Sequence, residues 1–406
     1  MDIANNPFMA GAGSKPPELV GRDHVLEAAT TELQRVRLGR PSKGIVLVGL
    51  RGVGKTVLLN RIQELAVDQR CEVAVVEADE NKKLAQLLLP PLRSMLFRLD
   101  RLHNVNDKIK QAWNALSNFA RAFKFKFENI ELRYDPTPGV ADSGDFETDL
   151  LDLLIAVAEA SSAAGTASVI IIDEMQYLDK RELSALISCI HKLIQRQMPL
   201  AIFGAGLPQI RRLAGDSKEY SERLFKFIEI GALSKEDAAA ALYSPAKRQG
   251  VEFEASALDE LVKITGGYPY FLQEWGTHVW NIAQCSPIQV PDVRAANVRA
   301  QSALDESFFR VRFERTTPKE RRYLRAMAEI RQPAPKASDI AAILMEDARS
   351  LAMTRAALTK KGMIYSPTHG NTVFTVPLFD DYMRRTMDFE TSNRNKRSNE
   401  IRDLIR

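Results

Sequence analysis

Residues 49–56 read GLRGVGKT and follow directly on an apolar stretch, IVLV, at 45–48. The spacing G-x-x-x-x-G-K-[ST] after a strand is the pattern that cradles a polyphosphate. The chemistry demands these residue types. Triphosphate oxygens are closely packed and negatively charged, so backbone N–H groups must reach them with no side chain between, which Gly49, Gly52 and Gly54 permit. The helix predicted over 55–66 points the positive end of its dipole at the same phosphates. Lys55 supplies a point charge for the β and γ phosphates, and the Thr56 hydroxyl is placed to ligate Mg²⁺. Val53 and Val57 complete the loop and first helical turn as further nucleotide contacts. These residues predict a nucleoside-triphosphate binder that works with Mg²⁺.

A second acidic pair lies downstream. Residues 168–174, SVIIIDE, are a β-branched run ending in two carboxylates, as expected of a buried parallel strand that delivers acids at its C-terminal edge. Beside a phosphate loop, Asp173 would hold Mg²⁺ through water and Glu174 would orient the attacking water. A core strand followed by an acidic helix cap reads the same residues without chemistry, and the loop upstream favours the first reading.

The elements that must position these groups are legible in the hydrophobic pattern. Apolar strands are predicted at 45–48, 73–77, 169–173, 200–203 and 227–230, with helical patterns between them, which is how a parallel sheet covered by helices reads. Residues 82–123 read as a helical run, 125–134 as an added hairpin, and the polar DPTPGVADSGD that follows as a mobile loop. Residues 1–17, rich in Gly, Pro and Asn, read as an extended arm or disordered tail, and residues 18–23, ELVGRD, open a helix over 23–38.

From Ser234 the strands stop. Helices are expected at 234–248 and 255–284, the first opened by a Ser-x-x-Asp cap and the second interrupted at TGGYPYFLQ, residues 265–273. Beyond them, helices at 317–330, 338–344 and 350–361 precede short strands at 363–365 and 372–376. Three helices plus a hairpin make a winged helix-turn-helix. Its third helix sets Arg349, Met353 and Lys360 on one side and Leu351 and Leu358 on the other. That face suits a DNA groove, and a winged helix that only packs on a partner protein or on the chain's own α/β core would read the same. Residues 394–406 read as a solvated helix. The organisation expected is an arm at 1–17, an α/β core at 18–232 with an insertion at about 79–147, a helical lid at 233–300, the winged helix at 301–390 and a tail at 391–406.

Composition excludes several classes. The chain has 406 residues, 45% apolar and 27% charged, as in soluble proteins with substantial cores. No uncharged apolar run is long enough to span a bilayer, and the first residues lack a leader's basic start and apolar core, so a cytoplasmic protein is expected. The three cysteines are isolated and the five histidines scattered, which supports neither disulfides nor a zinc site. Net charge is +4, but residues 306–406 hold 20 Lys or Arg against 13 Asp or Glu, so any polyanion contact belongs near the C-terminus.

With those residues in view, the chain resembles the AAA+ ATPases of the origin-recognition type, a group overlapping with the signal-transduction ATPases with numerous domains. Residues 49–56 match Walker A and 170–174 match Walker B. ELVGRD is similar to the short box before the first helix that packs on adenine, which implies base-side roles for Val20, Gly21 and Arg22. TGGYP is similar to the Gly-x-Pro turn of the signal-transduction group and would place Pro269 near the adenine. Arg223, just before the fifth strand, occupies the region that supplies an arginine finger to a neighbouring subunit, with Arg211 and Arg212 as competitors. Two departures stand out. The family expects a polar sensor at the end of the fourth strand, where this sequence has Gly204, Ala205 and Gly206, and Tyr268 and Tyr270 stand where an initiator ATPase offers a sensor arginine. The resemblance implies a slow ATPase that switches a DNA or protein partner. The alternative is a signalling or defence scaffold that exchanges nucleotide slowly, assembles with it and binds no DNA. A kinase or metabolic transferase lacks an acceptor site and has the wrong C-terminal architecture.

Overall fold

The computed structural model describes residues 1–11, 13–102, 107–123, 138–217, 221–368 and 370–389. The chain divides into two compact units: a sheet unit of Arg22–Gly49 and Lys55–Ile230, and a helical unit of Met1–Gly21, Leu50–Gly54 and Gly231–Arg406.

In the sheet unit the chain runs α1 (Asp23–Arg37), β1 (Gly44–Val48), α2 (Lys55–Asp68), β2 (Glu72–Glu77), α3 (Leu84–Leu102), α4 (Asp107–Ala122), α5 (Phe146–Ala163), β3 (Ser168–Asp173), α6 (Lys180–Gln195), β4 (Leu200–Gly206), α7 (Gln209–Ser217), α8 (Ser221–Leu224) and β5 (Phe225–Glu229). The five strands form one sheet in the order β2-β3-β4-β1-β5, parallel throughout. β1, β3 and β4 are buried along their whole length, which is why they read as continuous apolar runs rather than alternating ones. Parallel pairing puts the ends of β1, β3 and β4 at one edge, with Val48 beside Gly206 and Ile172 beside Gly204. Ligands of open α/β sheets bind outside this carboxyl edge.

The helical run expected over 82–123 comprises α3 and α4, which pack against each other and α5. Trp113 of α4 is fully buried and meets Phe97 of α3 edge to face at 4.7 Å. The hairpin expected at 125–134 and the tail at 391–406 lie outside the described residues. The described end of the polar loop, expected to be mobile, is held by Asp149: its carboxylate accepts the N–H of Ser143 at 2.9 Å and of Gly144 at 2.9 Å. Buried at the first turn of α5, this acid satisfies loop donors that the sequence pattern leaves unassigned.

The helical unit contains α9 (Lys235–Arg248), α10 (Ala255–Thr265), α11 (Pro269–Ile282), α12 (Val290–Leu304), α13 (Arg310–Glu314), α14 (Pro318–Glu329), α15 (Ala337–Leu344), α16 (Ala352–Lys360), the antiparallel pair β6 (Ile364–Tyr365) and β7 (Val373–Phe374), and α17 (Phe379–Thr386). The boundary expected at 300 is bridged. α12 passes through a π turn, Asp305–Phe309, straight into α13, and one core runs from Ala238 to Met383. α17, absent from the expected pattern, packs on α14. Residues 1–9, read as an arm or disordered tail, are seated on α11. Asn6 Nδ2 donates to the Thr277 carbonyl at 3.1 Å, and the buried Phe8 ring lies over Gly276, where a β-carbon would come within 2.8 Å of it.

Glycine is required between α10 and α11. Gly266 caps α10 in the left-handed region, and Gly267 has φ +71° with its missing β-carbon only 2.7 Å from the Leu233 carbonyl oxygen. The Leu233 N–H in turn donates to the Gly267 carbonyl at 2.9 Å. Gly267→Ala should cost roughly 1–3 kcal/mol, because both the backbone conformation and the close approach resist a methyl group. Thermal unfolding of the full chain checks this; an unchanged midpoint would contradict the close approach.

Candidate functional site

The loop after β1 turns as its glycines allow: Gly52 has φ +82° and Gly54 φ +91°, both in the left-handed region. Its start is fixed by the Gly49 N–H, which donates to the Gly206 carbonyl at 3.2 Å. Lys55 opens α2 and is only 8% exposed, with Nζ donating to the Gly49 carbonyl at 2.9 Å. The ammonium is thereby folded back over its own loop. Val53 is buried and Val57 is half-buried on the first turn of α2.

Thr56 and Asp173, separated by more than a hundred residues in the chain, touch: Thr56 Oγ1 donates to Asp173 Oδ2 at 2.7 Å. The other carboxylate oxygen accepts the Glu174 N–H at 2.7 Å. Burial pushes the Asp173 carboxyl up from the ordinary carboxylate range, opposed by these two hydrogen bonds. A hydroxyl and a carboxylate in contact are the hard oxygen donors that Mg²⁺ takes from a protein when phosphate and water complete its octahedron, so the pair fits that ion. Glu174 sits in the left-handed region at φ +52° and starts a short 3₁₀ turn, Met175–Tyr177.

The raised Asp173 carboxyl has a consequence for stability. A group that binds its proton more tightly when folded supports folding below the ordinary carboxylate range and loses that contribution as pH rises through the raised value. Asp173→Asn should therefore raise the unfolding midpoint of the nucleotide-free protein at pH 7.5, with the gain shrinking towards pH 4. Melting curves at both values check this, and an equal gain at both would exclude desolvation of the carboxylate as the cause.

Residues 18–203 match the family described as AAA ATPase domain. This stretch is therefore similar to AAA ATPase domains. Residues 306–383 match a domain family of unknown function. No curated protein sequence matches the chain. Among solved structures, the Walker-type ATPase PABY2304 of Pyrococcus abyssi superposes with a TM-score of 0.58 at 15% identity, over 90% of this chain and 96% of that one. The Holliday junction branch migration motor RuvB of Thermotoga maritima gives 0.44 at 16% identity, over 89% and 94%. ORC2 of Aeropyrum pernix gives 0.43 at 15%, over 92% and 97%. At such identity the likeness to the first is one of fold.

Packing within the sheet unit explains why no polar side chain stands at the end of β4. A β-carbon on Gly204 would lie 2.2 Å from Met175 Sδ, and one on Gly206 would lie 3.1 Å from Gln176 Oε1. The 3₁₀ turn after Glu174 occupies the space a sensor side chain would need. Arg223 stands exposed on α8, while Arg211 pairs with Glu229 at 3.1 Å and Arg212 with Asp216 at 3.7 Å.

The residues expected near the base divide between the units. Arg22 is buried at the N-cap of α1 in the sheet unit. In the helical unit, Val20 packs against the core and Gly21, at φ +68°, leaves no room for a β-carbon beside Asp237 Oδ2 at 2.5 Å. Pro269, half-buried, is the first residue of α11. Three contacts escaped the sequence reading. The Arg51 N–H donates to the Thr375 carbonyl just past β7 at 3.1 Å, the Tyr270 N–H to the Gly52 carbonyl at 3.2 Å, and Gln176 reaches Glu174. Only the last left a trace in the sequence, an amide two positions after the acid pair.

Proposed function

We propose that the chain is an ATP-driven molecular switch. The AAA domain binds and slowly hydrolyses Mg-ATP, and the C-terminal helices and hairpin, read as a winged helix-turn-helix, pass the nucleotide state to a DNA or protein partner. The observation that carries the coupling is the hydrogen bond from Arg51, in the phosphate loop, to Thr375, in the hairpin segment. A ligand that reshapes the loop acts directly on that segment.

In this reading the N–H groups around Gly52, Val53 and Gly54 hold the phosphates, and Lys55 exchanges the Gly49 carbonyl for the β and γ oxygens. Thr56 and Asp173 would hold Mg²⁺, which when bound would supply charge neutralisation for the phosphates. Glu174 orients a water for in-line attack on the γ phosphorus, with ADP leaving as the β–γ bridging bond breaks. Val20, Gly21 and Pro269 are proposed base contacts. Arg223, exposed on α8, is proposed to act on a neighbouring copy in a nucleotide-dependent homo-oligomer.

For the partner, α16 and the turn before it support the expected division of faces. Leu351 and Leu358 are buried, Met353 is 84% exposed, and Arg349 and Lys360 are exposed. The test is a mobility shift with duplex DNA at low salt, with ATP or ADP present, for the parent and for Arg349→Glu combined with Lys360→Glu. A nucleotide-dependent shift that weakens at least tenfold in the variant is expected, because phosphate contacts dominate such affinity. The glycine-lined end of β4 favours a second reading, a slow nucleotide-exchanging scaffold. No shift with DNA, together with an assembly state that differs between ADP and a non-hydrolysable ATP analogue on size exclusion, selects it. Calorimetry that detects no binding of adenine nucleotide rejects both.

A further inference from the structure

Glu174 is held by a neighbour. Gln176 is 7% exposed, and its Nε2 donates to Glu174 Oε2 while its Oε1 accepts the Leu207 N–H, just past β4, at 2.9 Å. The amide orientation is unambiguous. Swapping its ends would set oxygen against carboxylate and NH₂ against an N–H, two repulsions in place of two bonds. The arrangement needs the local backbone. The left-handed Glu174 starts the 3₁₀ turn, closed by the Tyr177 N–H donating to the Glu174 carbonyl at 3.0 Å, and the turn brings Gln176 back over β4. Gly204 and Gly206 make the room it needs, so the bare end of β4 and the buried amide are two sides of one packing solution.

We propose that Gln176 is the positioning residue for Glu174, replacing a sensor side chain on β4. It fixes one carboxylate oxygen of Glu174 and refers it to the backbone at the end of β4. The proposal rests on the ATPase reading. In this proposal Gln176 acts through the glutamate. Of the residues that could stand here, leucine matches the size without either bond, and glutamic acid keeps the acceptor for Leu207 but loses the donor at neutral pH.

Single-turnover ATP hydrolysis, with enzyme in excess, should be measured for the parent, Gln176→Leu and Gln176→Glu, with ATP affinity determined alongside. Both variants should hydrolyse 10- to 100-fold more slowly at pH 7.5, with ATP affinity within about twofold of the parent, since a misaligned general base costs rate rather than binding. As pH falls towards 5.5 the Gln176→Glu rate, relative to the parent at the same pH, should recover, because the introduced carboxyl regains a proton to donate. Gln176→Leu should show no such recovery. A parent-like rate in Gln176→Glu at pH 7.5, or an affinity loss as large as the rate loss, overturns the proposal in favour of packing alone. A parent that turns over normally while Gln176→Leu does the same sinks this proposal only. A parent with no turnover over many hours removes the hydrolysis reading and takes this one with it.

Discussion

Lys55→Ala should lower the affinity for Mg-ATP at least a hundredfold, a loss of about 2.7 kcal/mol or more. Lys55 is nearly buried, and its Nζ donates to the Gly49 carbonyl at the start of the loop that the glycines at 52 and 54 turn. A neutral carbonyl satisfies an ammonium only in part, whereas a phosphate oxygen offers a full charge at hydrogen-bonding distance. At about 4 Å and an effective dielectric near 20, one such pair attracts by about 4 kcal/mol before desolvation is subtracted. Stability should change far less, because the truncation removes one hydrogen bond, about 1 kcal/mol, along with a desolvated charge. Calorimetric titration with ATP and Mg²⁺, beside melting curves without nucleotide, separates the two effects. Lys55→Arg should not rescue binding, since a planar fork cannot replace a compact ammonium folded over so short a loop. Parent-like affinity in Lys55→Ala would dismantle the phosphate site as described.

The second large effect falls on turnover alone. Glu174→Gln should reduce hydrolysis by roughly 10²- to 10⁴-fold, the range that loss of a general base produces, while ATP binds as well as before. The substitution keeps the side chain's length and leaves an amide oxygen to accept from Gln176 Nε2, so the left-handed turn at Glu174 should persist. What is lost is the carboxylate that can hold a water's proton. Rapid-quench single turnovers give the rate, and equilibrium titration with ATP gives the affinity. If the variant lost affinity in step with rate, Glu174 would be a binding group rather than the base. Asp173→Asn offers the contrast. Its carboxylate meets the Thr56 hydroxyl directly, so its removal should raise the Mg²⁺ concentration needed for ATP binding.

Much of the site is written in a few contiguous residues. Glycines at 49, 52 and 54, a lysine and a threonine between a strand and a helix leave one backbone path open, and the structure follows it with positive φ at Gly52 and Gly54. The β-branched run into Asp173 and Glu174 likewise becomes β3, and the five strands appear within a few residues of their expected ends. These features are local. Strand periodicity, glycine conformation and helix caps each depend on a handful of neighbours along the chain.

Other features required the folded chain. Gln176 is one polar residue among many until β4 lies alongside and the Leu207 N–H meets its amide. The N-terminal arm reads as polar and glycine-rich, yet Phe8 finds the bare face of α11 at Gly276, across more than 260 residues of sequence. The expected break near residue 300 vanished because α12 runs through a π turn into α13 and the helices on either side share one core. Residue types and their spacing thus determined the path of the glycine loop and the strand that ends in Asp173, because backbone conformation answers to near neighbours. Which side chain bonds to Glu174, what the arm covers and where the helical core ends were decided by tertiary packing, because those contacts join segments whose sequences carry no mutual register until burial brings them together.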